Sequence, residues 1–449
     1  MNDTICAIST PIGVGGISII RISGNDAINI TSQIFDGKNL NECESHTIHY
    51  GHIIDDEKII DEVLISVMKS PKTYTTEDVV EINVHGGIAT TNKVLQMLIE
   101  RGIRLAEPGE FTKRAFLNGR IDLTQAEAVS DIIQSENEIA REVSINQLSG
   151  KLSEMIRTLK KKILSIEANI EVNIDYPEYD DIEDMTESKV YIELNQIKSE
   201  MQKLIDESKT GKIIKQGINV LLLGKPNVGK SSILNALLDE EKAIVTDIAG
   251  TTRDIVEGKM ILNGIVLNFI DTAGIRETTD TVEKIGVNRS IDKMKEADLI
   301  ILVLSNADEL SNEDKKLIDL IDKKNHIIFV NKNDLNMKID ISNYDDVVFG
   351  NTLDSNGLDD LKKKIISLFE LDKITTNNTS LITNSRQLGL LKKAKNSIED
   401  ALQAYNDGMS VDVIQIDISN ARKYLGEILG EVYNDELLDT LFSNFCLGK

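Results

Sequence analysis

Residues 224–231 constrain the fold of this chain more than any other feature. They read Gly-Lys-Pro-Asn-Val-Gly-Lys-Ser and fit the pattern G-x-x-x-x-G-K-[ST]. The apolar run 219–223 before them predicts a strand, and the pattern of 232–238 predicts a helix. In that context the backbone N–H groups of a glycine-rich loop and of a helix N-terminus bind phosphates. The segment therefore predicts a P-loop nucleotide-binding domain.

Later motifs supply the rest of a phosphate and Mg²⁺ site. Lys230 would reach the β- and γ-phosphates, and Ser231 would bind Mg²⁺. Asp271, which opens Asp-Thr-Ala-Gly, matches the Walker-B position, and the glycine that closes this motif can turn its N–H towards a γ-phosphate. Thr252 stands at the switch I position, where it would complete the Mg²⁺ shell.

The motif Asn-Lys-Asn-Asp at 331–334 identifies the base. The carboxylate of Asp334 can accept hydrogen bonds from guanine N1–H and N2–H₂, and adenine lacks both donors. An unpaired buried carboxylate would reject adenine, so the nucleotide is predicted to be GTP. A fifth motif, Asn-Thr-Leu at 351–353, stands where Ser-Ala-Lys is usual, and the N–H of Thr352 could contact the base.

The predicted GTP contacts all lie in these loops. They are Asn227, Val228, Gly229, Lys230, Ser231, Ser232, Thr246, Asp247, Ile248, Ala249, Gly250, Thr251, Thr252, Asp271, Thr272, Ala273, Gly274, Asn331, Lys332, Asp334, Asn351, Thr352 and Leu353.

The residues leave open how water is positioned for hydrolysis. A Ras-like GTPase places a Gln after the Asp-Thr-Ala-Gly segment, but this chain has the apolar Ile275 there. Glu277 and Glu283 are the nearby carboxylates that could take over this role.

The source of positive charge for the transition state is also open. Arg253 and Arg276 are candidate arginine fingers in the same chain. A bound monovalent cation is the alternative, with oxygen ligands from Asn227 and from residues 249–252.

Composition narrows the classes of protein to which the chain could belong. The 449 residues carry 50 Lys and Arg against 74 Asp and Glu, a formal net charge of −24. Such acidity argues against binding nucleic acid by broad phosphate neutralisation. Three scattered Cys argue against a disulfide framework, and no apolar run reaches the roughly 20 residues that span a bilayer. We expect a soluble, cytoplasmic protein without a membrane association.

Changes in sequence pattern predict four segments. Residues 1–120 mix short strands and turns, 121–215 and 373–449 have helical periodicity, and 216–372 alternate strands and helices. The predicted class is α/β plus all-α, in which a Ras-like P-loop domain interrupts one discontinuous helical domain that follows an N-terminal α/β domain. Residues 209–217 are predicted to form a basic connector and 375–383 a polar loop.

The nucleotide motifs also resemble a known group of proteins. Residues 224–232, 244–254 and 271–277 resemble the TrmE–Era–EngA group of bacterial GTPases. Residues 10–24, 74–87 and 108–128, together with the final Cys-Leu-Gly-Lys, resemble the MnmE (TrmE) family within it.

This resemblance implies a homodimeric GTPase that acts with MnmG, an enzyme that uses FAD and NADH, in a heterotetramer. Together such proteins add an aminomethyl or carboxymethylaminomethyl group to C5 of the wobble uridine (U34) of certain tRNAs. It also implies that residues 1–120 bind 5-formyl-tetrahydrofolate or a related tetrahydrofolate and dimerise. The partner could carry the basic surface for tRNA, and acidic tracts here could meet it.

The resemblance also implies particular catalytic and potassium-binding residues. The side chains of Asn227 and Thr251 and the backbone oxygens of Thr246 and Ile248 would bind K⁺. The ion would neutralise charge in the transition state. Glu283 matches the family's water-positioning glutamate.

The implied folate contacts are Arg21, Glu81, Arg120 and Lys449, and Arg120 stands where a lysine is expected. A carboxylate can pair with the N–H donors of a pterin, and cations suit the glutamate tail of folate. Cys446 could be a nucleophile or a packing residue.

Two other functions are compatible with a GTPase sequence. One is an Era- or EngA-type regulatory switch in ribosome assembly, without modification chemistry. The other is a helical scaffold in which GTP only controls dimerisation. The acidic helical flanks and the presence of one P-loop motif disfavour the first.

Overall fold

The computed structural model describes most of the chain and divides it into two compact units. The described residues are 3–175, 187–240, 256–270, 293–354, 356–374 and 382–449. The first unit comprises Met1–Ile133, Gln147–Met201 and Gly389–Lys449, and the second comprises Gln134–Asn146 and Gln202–Leu388. In the described parts of both units, no helix is long and apolar enough to cross a membrane.

A mixed sheet forms the N-terminal part of the first unit. Its strand order is β3-β4-β5-β6-β2-β1-β7, and only the β1–β7 pair is parallel. Alternating apolar residues of the strands turn towards helices α1 and α2, which bury them in one core. The elements are β1 (Ile5–Ile8), β2 (Ser18–Ser23), α1 (Ala27–Gln33), β3 (Phe35–Asp36), β4 (Thr47–Asp55), β5 (Lys58–Met68), β6 (Val79–Val84), α2 (Ile88–Glu100) and β7 (Arg104–Leu105).

Helices from two distant parts of the chain build the rest of this unit. They are α3 (Glu110–Leu117), α4 (Leu123–Gln134), α5 (Glu138–Leu148), α6 (Lys151–Asp175), α7 (Glu187–Gln216), α11 (Ser385–Asn406), α12 (Val411–Leu429) and α13 (Asp435–Phe442), of which α4, α5, α7 and α11 also have residues in the second unit. Helix α6 packs against α12, and Arg422 Nε lies 2.5 Å from Glu167 Oε2 between them. The helical segments before and after the inserted domain therefore pack together, as the sequence predicted.

The second unit contains a six-stranded sheet with helices. Its order is β13-β12-β11-β8-β10-β9, and every neighbouring pair is parallel except β10–β9. The central strand β8 is almost entirely apolar because both of its faces are covered. The elements are β8 (Ile218–Leu223), α8 (Lys230–Glu240), β9 (Val256–Leu262), β10 (Ile265–Ile270), β11 (Leu299–Ser305), α9 (Asn312–Ile321), β12 (His326–Asn331), β13 (Val347–Phe349) and α10 (Asp359–Leu368). The predicted fold class is confirmed.

The predicted connector at 209–217 is wrong, because α7 continues as a helix to Gln216. Gly211 lies inside this helix, where an added Cβ would stand 2.6 Å from the carbonyl oxygen of Ile382. The glycine is therefore needed for close approach of another segment, although it lowers intrinsic helix propensity. Of the predicted loop 375–383, residues 375–381 lie outside the described residues, and Ile382 and Thr383 have no regular structure.

A buried arginine fixes the N-terminal segment to α3. Arg114 is 1% exposed, and it donates to the backbone oxygen and carboxylate of Asp3 at 2.8 Å and to Glu77 at 3.0 Å. Glu110 contacts Arg114 and Arg104. Burial raises the pKa of Glu110, but the hydrogen bond from Arg104 and the nearby positive charges outweigh it, so the net pKa is lowered. The network therefore stabilises this unit at neutral pH and loses that contribution as the pH falls through the lowered pKa.

Replacing Arg114 with methionine should destabilise the first unit strongly. The change removes the buried cation that pairs with Glu77 and Glu110. Removing one partner of a buried ion pair lowers the free energy of unfolding by about 3–5 kcal/mol in comparable sites. Differential scanning calorimetry should show a lower melting temperature. Arg101→Met removes an arginine whose guanidinium contacts the Met97 carbonyl on α2, and it should shift the transition much less. Equal shifts for the two variants would contradict the role given to Arg114.

Candidate functional site

The predicted phosphate loop lies between β8 and α8, at the carboxyl end of the central strand. Three of its residues have positive φ: Gly224 at 139°, Asn227 at 65° and Gly229 at 104°. At Gly224 an added Cβ would stand 2.3 Å from the carbonyl oxygen of Val303. The loop is thus tightly packed and leads into a helix N-terminus, where free backbone N–H groups suit an anion.

Lys230 lies over this loop at the first position of α8. Its Nζ donates to the carbonyl oxygens of Gly224 and Lys225, each at 2.7 Å. Burial lowers the pKa of Lys230. Phosphate oxygens would compensate this burial, since a nearby anion favours the charged ammonium. Ser231 and Ser232 follow in the first turn and are exposed.

The loop after β12 contacts the phosphate loop directly. Asn331 is buried, and its Nδ2 donates to the Val228 carbonyl at 2.8 Å. Lys332 Nζ donates to the Asn227 carbonyl at 3.1 Å. Asp334 is exposed, and its carboxylate forms no hydrogen bond within the parts of the chain that the structure describes. The structure therefore brings the predicted base-binding and phosphate-binding residues into one site.

The fifth motif adjoins that loop, since the N–H of Asn333 donates to the Gly350 carbonyl at 3.1 Å. Asn351 Oδ1 accepts from the N–H groups of Leu353 at 3.0 Å and Asp354 at 2.9 Å. The N–H of Leu353 is thus already used, whereas that of Thr352 has no hydrogen bond among the described residues, and the Leu353 side chain is 81% exposed. The geometry suits the predicted contact from Thr352.

Many predicted site residues lie outside the described residues. They are Thr246, Asp247, Ile248, Ala249, Gly250, Thr251, Thr252, Arg253, Asp271, Thr272, Ala273, Gly274, Ile275, Arg276, Glu277 and Glu283. Of the predicted metal ligands, Ser231 and Asn227 are the ones that the structure describes.

Two residues that support the phosphate loop were not identified from the sequence. Lys225 Nζ lies 2.6 Å from Asp314 Oδ2, and Asp314 is buried at the start of α9. Asp314 also forms a capping box with Ser311. The spacing Ser-x-x-Asp before an apolar helix would have indicated the cap, but nothing local indicates the contact with Lys225.

The four predicted folate residues form a second cluster, in the first unit. Arg21 and Glu81 are cross-strand partners on β2 and β6, and Arg21 Nε donates to Glu81 Oε1 at 2.9 Å. Arg21 also donates to the Gly448 carbonyl at 3.0 Å, which places Lys449 beside this pair. Burial lowers the pKa of Lys449, and the positive charge of Arg21 lowers it further.

An aromatic ring that was not identified from the sequence joins Arg120 to this cluster. The guanidinium carbon of Arg120 lies 4.8 Å from the ring centroid of Tyr74, and that of Arg21 lies 6.0 Å from it. Both distances suit cation–π attraction. The Tyr74 hydroxyl is 2.9 Å from Thr112 Oγ1 and so is held in place.

The last residues of the chain are fixed to this cluster by backbone contacts. Ser9 Oγ donates to the Gly448 carbonyl at 3.2 Å, and Gly448 has a φ of 85°. An added Cβ there would stand 2.6 Å from the carbonyl oxygen of Ile8. The N–H of Gly109 donates to the carbonyl of Cys446 at 3.4 Å, and the Cys446 thiol is free and exposed.

Comparison with known proteins gives matches over the whole chain. The family model for the N-terminus of the GTP-binding protein TrmE matches residues 4–120, and that for the MnmE helical domain matches 123–446. The proteins named tRNA modification GTPase MnmE from Bacillus mycoides and Oceanobacillus iheyensis are 49% and 48% identical to it, over 100% of this chain and 99% of theirs. Among solved structures, the G domain of Thermotoga maritima FeoB is 27% identical, covers 34% of this chain and 98% of that one, and has a TM-score of 0.26.

The curated relatives extend over the described nucleotide loops and over the N-terminal and helical parts alike. The chain is therefore a GTP hydrolase and belongs to the MnmE (TrmE) family.

Proposed function

We propose that this enzyme couples potassium-stimulated GTP hydrolysis to the modification of C5 of the wobble uridine (U34) in certain tRNAs. The observation that carries the proposal is that one chain contains both a GTP site and a second cluster formed by all four predicted folate residues. Relatives named tRNA modification GTPase match the chain over its full length. No observation favours an Era- or EngA-type switch.

In the GTP site, each described residue has a distinct role. Lys230 would transfer its hydrogen bonds from the loop carbonyls to the β- and γ-phosphates, and Ser231 would bind Mg²⁺ together with Thr252. Asp334 would accept from guanine N1–H and N2–H₂, since its carboxylate has no competing hydrogen bond among the described residues.

Glu283 would position the attacking water. Asn227, whose backbone in the phosphate loop is left-handed, would bind K⁺ with Thr251 and the backbone of Thr246 and Ile248. A bound potassium ion supplies positive charge beside the phosphates, as an arginine finger does.

The second cluster fits a tetrahydrofolate such as 5-formyl-tetrahydrofolate. Glu81 would pair with the N–H donors of the pterin, and Arg21, Arg120 and Lys449 would face its anionic tail. A tetrahydrofolate carries a one-carbon unit. Cys446 lies close in sequence to Lys449, and its exposed thiol would be available as a nucleophile.

The proposed assembly is a homodimer that binds MnmG, which uses FAD and NADH, as a heterotetramer. A net charge of −24 disfavours broad contact with tRNA by this chain alone. Complementary charge on the partner would both bind this acidic chain and hold the tRNA.

Potassium should raise GTP turnover by about a hundredfold over sodium at equal ionic strength, because one charge-stabilising contact contributes about that much. Asn227→Ala should lose most of this gain, and Glu283→Ala should lower turnover in both salts. Phosphate release under saturating GTP measures both effects. Glu277→Ala is the matched control and should keep the potassium response. Equal wild-type turnover in the two salts would rule out the cation site and favour Arg253, Arg276 or an activating protein.

Glu81→Gln should weaken 5-formyl-tetrahydrofolate binding by about tenfold or more, because charge-assisted hydrogen bonds are lost. Isothermal titration calorimetry measures this directly. Glu62→Gln alters an exposed carboxylate on the neighbouring strand β5 and should leave the affinity unchanged. GTP affinity should be unchanged in both variants. Wild-type protein that fails to bind the folate would disprove this assignment.

The tRNA reaction can be tested with purified components. The chain, MnmG, FAD, NADH, GTP, a tetrahydrofolate and either glycine or ammonium are incubated with unmodified tRNA, and nucleosides are measured by mass spectrometry. We expect modified wobble uridine, and much less with Lys230→Ala because phosphate binding is lost. GTP hydrolysis without any modified uridine would favour a regulatory switch.

A further inference from the structure

We infer that Asn306 positions the guanine-recognition loop, residues 332–338, and thereby sets selectivity for the guanine base. The inference rests on the proposed role of Asp334, which lies within this loop. Asn306 directly follows β11, whose carboxyl end adjoins that of β12.

Asn306 forms one hydrogen bond before Asp334 and two after it. Its backbone N–H donates to the Asn331 carbonyl at 2.9 Å, and its own carbonyl accepts from the N–H of Lys338 at 2.9 Å. Between these, its Nδ2 donates to the Leu335 carbonyl at 3.0 Å. One residue therefore fixes both ends of the loop and the position immediately after Asp334.

The side chain of Asn306 is poorly suited to a role in packing alone. It is 1% exposed, and its Oδ1 has no hydrogen-bond partner in the part of the chain that the structure describes. Burying an unpaired amide oxygen is unfavourable, so an apolar residue of similar size would fill this space more favourably. The side chain of Asn306 does supply one interaction that an apolar residue could not, the hydrogen bond from its Nδ2 to the Leu335 carbonyl.

Selectivity depends on the backbone of this loop. The contact from Asn306 adds to the backbone hydrogen bonds from Asn333 to Gly350 and from Leu335 to Lys332. The carboxylate is exposed and without hydrogen bonds in the described chain, so the backbone of the loop determines where it stands. Asp334 must meet two donors of guanine at once. Hypoxanthine offers N1–H alone, so a displaced carboxylate loses most of its advantage for guanine.

The test compares the affinities of GDP and IDP, measured by competition against a fluorescent GDP analogue. Asn306→Ala should reduce the preference for GDP over IDP by about fivefold to tenfold, as expected for one lost buried hydrogen bond. Asn306→Asp keeps the size of the side chain, but its carboxylate oxygen cannot donate to Leu335. It should lower the preference at least as much. The preference is the ratio of two affinities measured on the same variant, so a smaller folded fraction does not imitate this result.

Two controls separate the possible outcomes. Asn268→Ala removes another amide-to-carbonyl bond of the same unit, to Gln216 at 2.9 Å, and it should leave the preference unchanged. Asp334→Asn should abolish the preference. If it does not, the proposed base contact fails. If Asp334→Asn abolishes the preference while the Asn306 variants weaken GDP and IDP by equal factors, the inference about Asn306 is overturned.

Discussion

The hydrogen bond from Asn331 Nδ2 to the Val228 carbonyl holds the nucleotide site together. It connects the loop that would bind phosphate with the loop that would bind the base, although the two are about a hundred residues apart in sequence. Gly229 makes this contact possible, since an added Cβ would stand 2.2 Å from Asn331 Nδ2. The parallel pairing of β8, β11 and β12 brings these loops to the same edge of the sheet.

The second cluster depends on contacts of a different kind. Arg21 and Glu81 are held by strand register, whereas Lys449 reaches them because Gly448 fits closely against Ile8. The register fixes the pair within a rigid sheet, and the final segment completes the cluster from a distant part of the chain. The site thus combines residues of a rigid sheet with residues of the final segment, an arrangement that favours precise placement of a ligand.

Local sequence patterns predicted strand β8, the loop after it and helix α8 correctly, because a P-loop and its flanking strand and helix are determined by neighbouring residues. The folate residues were reached through a family resemblance, since Arg21 and Glu81 alone look like charges on a strand surface. Tyr74, Asn306 and the Lys225–Asp314 pair were not identified, because each acts through a contact between distant segments. Residues 209–217 were predicted as a connector instead of a helix, because the contact that accounts for Gly211 is with Ile382, which is remote in sequence.

The cation–π arrangement around Tyr74 has a consequence for which anions can approach. Three cationic side chains and one carboxylate side chain share a small area of a chain whose net charge is −24. A compact anion experiences mainly this local positive potential once it is within a Debye length of about 8 Å. A long polyanion also experiences the negative surroundings. The charge pattern would therefore favour small anionic ligands over extended ones.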